Sequence, residues 1–162
     1  MQTFLSEPTF EKSIEILDFK RRNKQLTEVR QILGVLLVNT TSRWRNHPAV
    51  LMWKGHERAL LKYARTVQAV CEHHGVNVEK NKAAIDEYEK ILQADNFTDD
   101  YPVWWTDITL KSRVINTHQA RLFVKKPEFY SLYSHISNAK DLVCCSHCNY
   151  FWPSHHFKNK CN

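Results

Sequence analysis

Glycine and proline are scarce in this chain, at 3 and 5 of 162 residues. That is too few for the many tight turns of a β-sandwich or barrel, and it favours helices. No stretch approaches the roughly 18 uninterrupted apolar residues of a membrane span. The N-terminus lacks a basic region leading into an apolar core, so an intracellular, unsecreted protein is expected. Cysteine is almost missing from the first 143 positions, where only Cys71 precedes Cys144, Cys145, Cys148 and Cys161. Crowding of that kind cannot staple a whole domain with disulfides; it suits metal in a reducing compartment. Internal repeats and low-complexity tracts are also lacking.

What is present fits one compact all-α domain with a small appendage. Apolar residues make up 43% of the chain, an ordinary share for a globular protein and too high for disorder. The net charge is +6, which suits a polyanionic partner held through phosphate contacts, although a basic balance also merely keeps proteins soluble.

The pattern predicts a first helix from about Pro8 or Thr9 to Val38, with Leu26, Val29, Leu33 and Leu36 facing the core. A second stripe, Ile14, Leu17, Arg21, Lys24, Glu28, Gln31 and Val35, is apolar at its ends and polar in the middle. Its middle could floor a cleft. Asn39–Asn46 reads as a polar loop, and Pro48 opens a second helix running to His74, stopped by Gly75. Its seam is Val50, Trp53, Glu57, Leu60, Ala64, Val67 and Cys71, where the acid Glu57 is an anomaly. A third helix is expected over Lys80–Gln93 with Ala84, Tyr88 and Ile91 inward, then an irregular aromatic loop over Asp95–Thr106 in which Trp104 and Trp105 serve as lid or core. Asp107 can cap a fourth helix over Ile108–Lys125, which Pro127 ends. A short aromatic segment, Phe129–Ile136, follows. The domain boundary is placed at 137/138.

The tail from 138 carries Cys145 and Cys148 in a Cys-x2-Cys turn, with His156 and Cys161 as a second pair. Four such ligands suit tetrahedral zinc, with Cys144 and His155 as alternates. Tyr150, Phe151 and Trp152 would pack a mini-core too small to fold without metal. Lys158 and Lys160 suit DNA contact, and docking of a protein partner is an equal alternative.

Three blocks carry a resemblance. Leu17-Asp18 is followed by Arg21, Lys24, Glu28 and Gln31-Ile32-Leu33. Next come Trp44-Arg45-Asn46-His47-Pro48 and Trp53-Lys54-Gly55-His56. The third is His118-Gln119-Ala120-Arg121-Leu122, with Lys125, Lys126-Pro127, Phe129, Tyr130 and Tyr133 after it. In this order and spacing they resemble the phage pyrimidine-dimer DNA glycosylases from residue 1 to about 135, and the tail lies outside the resemblance.

The resemblance implies a DNA-repair enzyme that excises a damaged pyrimidine from duplex DNA. In that family a free N-terminal amine attacks C1′, and the Schiff base allows strand cleavage. The essential acid falls on Glu28, and DNA-clamping bases fall on Arg121 and Lys125. α-Amines ordinarily titrate near pH 8, about two units below lysine, which suits them to nucleophilic attack. Here Gln2 follows Met1, and so large a second residue generally spares the initiator Met, so the catalytic amine is expected to be that of Met1. Thr3 stands where the family pattern would place an Arg for phosphate. Arg21, Arg22, Lys24, Arg43, Arg45, His56 and Tyr130 are further candidate DNA contacts. The N-terminus should thread between the first helix and the last to meet Glu28 in a basic cleft. Alternatives are a monofunctional glycosylase in which Glu28 activates water, action on another modified base, and a non-catalytic DNA-binding protein.

Overall fold

The computed structural model describes residues 1–93, 96–139 and 150–153. Among them all regular structure is helical: α1 Phe10–Glu15, α2 Phe19–Leu37, α3 Pro48–Leu51, α4 Glu57–His73, α5 Glu79–Leu92, α6 Val103–Thr106, α7 Ile108–Lys125, α8 Pro127–Tyr130 and α9 Ser134–Ala139. No helix among the described residues is long and apolar enough to cross a membrane. α2 packs on α4 and α5, α1 lies on α4, and α7 gathers α6, α8 and α9.

Two of the expected long helices are broken, each for a local reason. Ile16 closes α1, and Asp18, in extended conformation, accepts a hydrogen bond from the N–H of Arg21 and starts α2 afresh. The Arg22 guanidinium donates to the carbonyls of Glu15 and Leu17, at 2.8 and 2.9 Å, binding the end of α1 to the new helix. The second break lies between α3 and α4, where Gly55 takes φ +85°. Glu57 explains itself there: it sits at the first turn of α4 and its carboxylate accepts from the Gly55 N–H at 2.8 Å. The anomalous acid of the seam is a helix-start residue, half-buried and hydrogen-bonded.

The predicted inner stripe of α2 holds, with Leu26, Val29 and Leu33 at most 1% exposed. α5 is rotated by about one residue from expectation. Ile85 and Leu92 are buried with Tyr88 packed beside them, while Ile91 is exposed. α7 has the predicted bounds, capped by Asp107, whose carboxylate accepts from the Leu110 N–H at 2.8 Å. Trp104 and Trp105 are core residues: Trp104 stands edge-on to Trp53 at 5.0 Å, and Trp105 stacks on Phe10 at 4.9 Å. The expected loop over 39–46 contains a 3-10 turn, Arg43–Asn46. Cys71 is a buried thiol on α4 that donates to the Arg22 carbonyl on α2, and burial pushes it up to about 11.

The N-terminal segment, residues 2–6, is buried along its whole length. Its backbone is satisfied by side chains, as a buried non-helical segment requires. From α2, Gln25 accepts from the Phe4 N–H at 2.8 Å and donates to the Gln2 carbonyl at 2.7 Å. From α7, His118 Nδ1 accepts from the Leu5 N–H at 2.8 Å, and Gln119 donates to the Ser6 carbonyl at 2.7 Å. Tyr63 donates to the Phe4 carbonyl at 2.9 Å, and the Trp53 indole to the Thr3 hydroxyl at 3.1 Å. With Nδ1 engaged as an acceptor, a neutral His118 carries its proton on Nε2. The Gln2 carboxamide, 3.1 Å away, then presents its oxygen there, which also gives Gln2 Oε1 the partner it otherwise lacks. Burial holds the His118 pKa down to about 3, so the ring stays neutral.

That burial makes stability pH-dependent. Unfolded His118 takes up a proton near pH 6.5, the folded ring only near 3, so between these values the unfolded state binds more protons. Stability is therefore complete above pH 6.5 and falls as pH drops toward 3. His118→Asn keeps an acceptor near the position of Nδ1 but cannot titrate. Thermal unfolding followed by circular dichroism from pH 7 to 4 should give a shallower decline for the variant, the difference reaching at most about 1.4 kcal/mol per pH unit.

Candidate active site

The threaded segment delivers the chain's amino group to α2. Because Asp18 fixes where α2 begins, Arg21, Lys24 and Glu28 fall at i, i+3 and i+7 along one face. Glu28 is only 8% exposed, and its Oε1 lies 3.6 Å from the Met1 amine and 3.6 Å from Lys24 Nζ. The polar middle of the second sequence stripe thus meets the Met1 amine at Glu28.

α7 supplies the opposite wall. Arg121 and Lys125, four residues apart, reach the same charge cluster. Burial lowers the Lys125 pKa first, and Arg21, Arg121 and Lys24 lower it further while Glu28 opposes them. Arg121 Nε is buried without a hydrogen-bond partner among the described residues. The result is one carboxylate and one amine ringed by basic side chains, an arrangement that attracts a phosphodiester backbone. His47 faces the same space. It accepts from the Ala49 N–H through Nδ1 at 3.1 Å, and its pKa is lowered by burial and by the charge of the Met1 amine. Met1 also lines a cavity of about 360 Å³, together with Gln31, Gly34, Val35, Trp44 and Tyr88.

The remaining candidates are distributed differently. Arg43 and Arg45 are exposed on the 3-10 turn whose Trp44 lines this cavity. Arg22 is spent on the α1 carbonyls. His56, the residue before α4, lies 3.2 Å from the Asp100 carbonyl in the loop before α6, and no contact joins it to the Glu28 cluster among the described residues. Tyr130, expected at a DNA-facing surface, is fully buried. Its hydroxyl donates to Asp18 Oδ2 at 2.9 Å and accepts from the Asp18 N–H at 3.2 Å. Burial raises the Asp18 carboxyl, but hydrogen bonds from Arg21 and Tyr130 outweigh it and hold the group below its ordinary value. Tyr130 therefore positions the cap of α2 and cannot stack on a base.

The sequence does not announce how the terminus is held. Gln25 reads as an ordinary helix position, and His118 and Gln119 stand out only as part of the third block of the resemblance; the roles of all three exist because a segment without regular structure lies between α2 and α7. Tyr150 was expected in a separate mini-core with Phe151 and Trp152. Instead Phe151 is 8% exposed within the core of the helical domain, and its N–H donates to Thr117 on α7 at 3.1 Å. The expected boundary at 137/138 falls inside α9, whose Ile136 and Ala139 are buried. The expected zinc ligands Cys145, Cys148, His156 and Cys161 lie outside the described residues. Among the described residues no three His, Cys, Asp or Glu side chains form a metal-binding group.

The Tyr130 assignment is testable. Tyr130→Phe should cost about 1–3 kcal/mol by removing a partner of a buried carboxylate. Chemical denaturation should detect that loss, while affinity for undamaged duplex DNA, read by fluorescence anisotropy, should stay unchanged.

A model of the pyrimidine dimer DNA glycosylase family matches residues 1–84. No curated protein and no solved structure matches the chain. The matched stretch holds Met1, the threaded segment, Asp18 and the Arg21–Lys24–Glu28 face, while the Arg121–Lys125 wall lies beyond it. The helical architecture, the amine seated at Glu28 and this match lead to one conclusion: the chain belongs to the pyrimidine dimer DNA glycosylase family.

Proposed function

We propose that this chain excises a damaged pyrimidine, a cyclobutane dimer in the first instance, from duplex DNA with the Met1 α-amine as nucleophile. The observation that carries the reading is the 3.6 Å separation between the Met1 amine and Glu28, inside a ring of cations. In its neutral form the amine attacks C1′ of the damaged nucleotide. The glycosidic bond breaks, and the base leaves with the electron pair and takes up a proton. Opening of the sugar gives a Schiff base, and the amine gives up its protons as that bond forms. Glu28 is placed to accept a proton from the amine and to stabilise positive charge developing on the sugar. Loss of a C2′ proton from the Schiff base then expels the 3′-phosphate and cuts the strand.

Arg21, Lys24, Arg121 and Lys125 surround the site with positive charge that would hold the phosphates on either side of the lesion. Arg121, with its unpartnered Nε, is the best placed to gain a new acceptor. Arg43 and Arg45, exposed on either side of Trp44, would extend the contact along the backbone. A nucleotide must leave the helical stack for its C1′ to reach an amine this enclosed, and the cavity beside Met1 offers room. For the tail, we propose zinc held by Cys145, Cys148, His156 and Cys161, on the strength of their spacing.

Duplex DNA carrying one thymine dimer is the direct test. Incubation should nick the damaged strand, and borohydride should trap a covalent protein–DNA adduct through the N-terminal peptide. Glu28→Gln should slow both by at least about a hundredfold while leaving DNA affinity within a few-fold of wild type. An uncleavable N-terminal extension, which moves the amine away from Glu28, should abolish trapping altogether. Nicking that appears only after alkali, with no adduct, would overturn the amine mechanism and leave Glu28 activating water. Elemental analysis of the purified chain should give one zinc per molecule.

A further inference from the structure

The threaded segment is held by α2 on one side and α7 on another, and a third side is closed by residues far beyond the family match. Tyr150 sets its ring edge-on against His118, at 5.0 Å and 85°, and against Phe4, at 6.3 Å and 69°. Trp152 lies 5.5 Å from Tyr150 and, across from it, edge-on to His47 at 6.3 Å. His47 in turn lies 5.4 Å from Trp44, which lines the cavity beside Met1. Phe151 anchors the three-residue segment from below, its ring under the Arg113 guanidinium at 4.2 Å and its N–H bonded to Thr117. A continuous aromatic bridge thus spans from α7, across the N-terminal segment, to the 3-10 turn.

The electrostatics place the bridge at the site as well. Burial pushes the Tyr150 phenol up to about 12; Arg121 and Arg21 oppose it weakly and Glu28 adds to it. The phenol stays neutral, so it can pack over the cluster without adding charge to it.

We propose that Tyr150 and Trp152 are positioning residues, a strap that presses the N-terminal segment against α2 and α7 and keeps the Met1 amine over Glu28. The catalytic meaning of this strap rests on the amine-based reading of Met1; its mechanical meaning does not. Its effect is geometric: the amine is the free end of a chain whose anchors stop at Gln2, and a terminus fixed from two sides only can lift away from its partner. A misplacement of about 1 Å can cost a hundredfold in rate, so a third contact surface has kinetic weight.

The test uses the full-length chain as Tyr150→Ala, Trp152→Ala and the conservative Tyr150→Phe, at a temperature where circular dichroism shows each folded. The Met1 α-amine is acetylated with limiting reagent and followed by the mass of the N-terminal peptide. Borohydride trapping on dimer-bearing duplex is measured in single turnover on the same samples. Tyr150→Ala and Trp152→Ala should raise the labelling rate at least about threefold, because the terminus opens more often. They should slow trapping about tenfold with unchanged DNA affinity, and Tyr150→Phe, which keeps the ring, should match wild type in both. Folded alanine variants with wild-type labelling and trapping would overturn the strap, whose role would then be only to bury Phe151. If Tyr150→Ala fails to fold, the half-buried Trp152 decides alone. Faster labelling in variants of a protein whose wild type is never trapped would sink the Met1 nucleophile and leave the strap standing.

Discussion

The two-way hydrogen bonding between Gln25 and the N-terminal segment is the constraint from which the site follows. A single carboxamide accepts from Phe4 and donates to Gln2, so its helix and the chain terminus share one register. Glu28 lies three residues further along the same helix and inherits that register. His118 and Gln119 repeat the device from α7, which means that two separate helices agree on where residues 2–6 run. Buried backbone polar groups left unpaired would cost free energy comparable to a lost hydrogen bond each, and that penalty forbids the segment from sliding.

Everything around this register guards it. Asp18 sets the phase of α2 and is itself locked between Arg21 and Tyr130. The break between α1 and α2 lets the chain turn back over the core, and Arg22 seals the break with bonds to α1 carbonyls. A straight helix through residues 9–38 would have no such corner, and the terminus could not lie alongside it. Basic residues from two helices meet around a single carboxylate, so attraction for a polyanion is concentrated where the amine is.

Much of this was legible in the sequence, and the reasons are specific. The Leu26–Val29–Leu33 stripe, the Asp107 cap and Pro127 fixed long-range features through local rules, and α7 appears with its expected limits. The mixed stripe through Arg21, Lys24 and Glu28 pointed to a cleft because polar residues interrupted an otherwise apolar line. What stayed hidden depended on contacts across the chain. Gln25 looks like any helical polar residue until a backbone segment needs partners, and the block that contains His118 says nothing of the backbone it would hold. Tyr130 beside a basic run looked like a stacking residue, yet it was claimed by a carboxylate 112 positions away. Glu57 defied the seam because one glycine with positive φ turned a helix interior into a helix start. Tyr150, Phe151 and Trp152 matched a metal-dependent mini-core by composition, whereas the hydrophobic surface offered by α7 was the stronger competitor for Phe151.

Cys71 has a use that its chemistry alone would not suggest. The thiol is buried, held protonated well into alkaline pH, and bonded across the α2–α4 contact to the carbonyl of Arg22. A thiol reagent can reach it only after α4 parts from the helix that carries Glu28. Its alkylation rate is therefore a clock for the breathing of that interface. It times how often α4 parts from the helix of Glu28 in a molecule that is otherwise native, with no residue substituted.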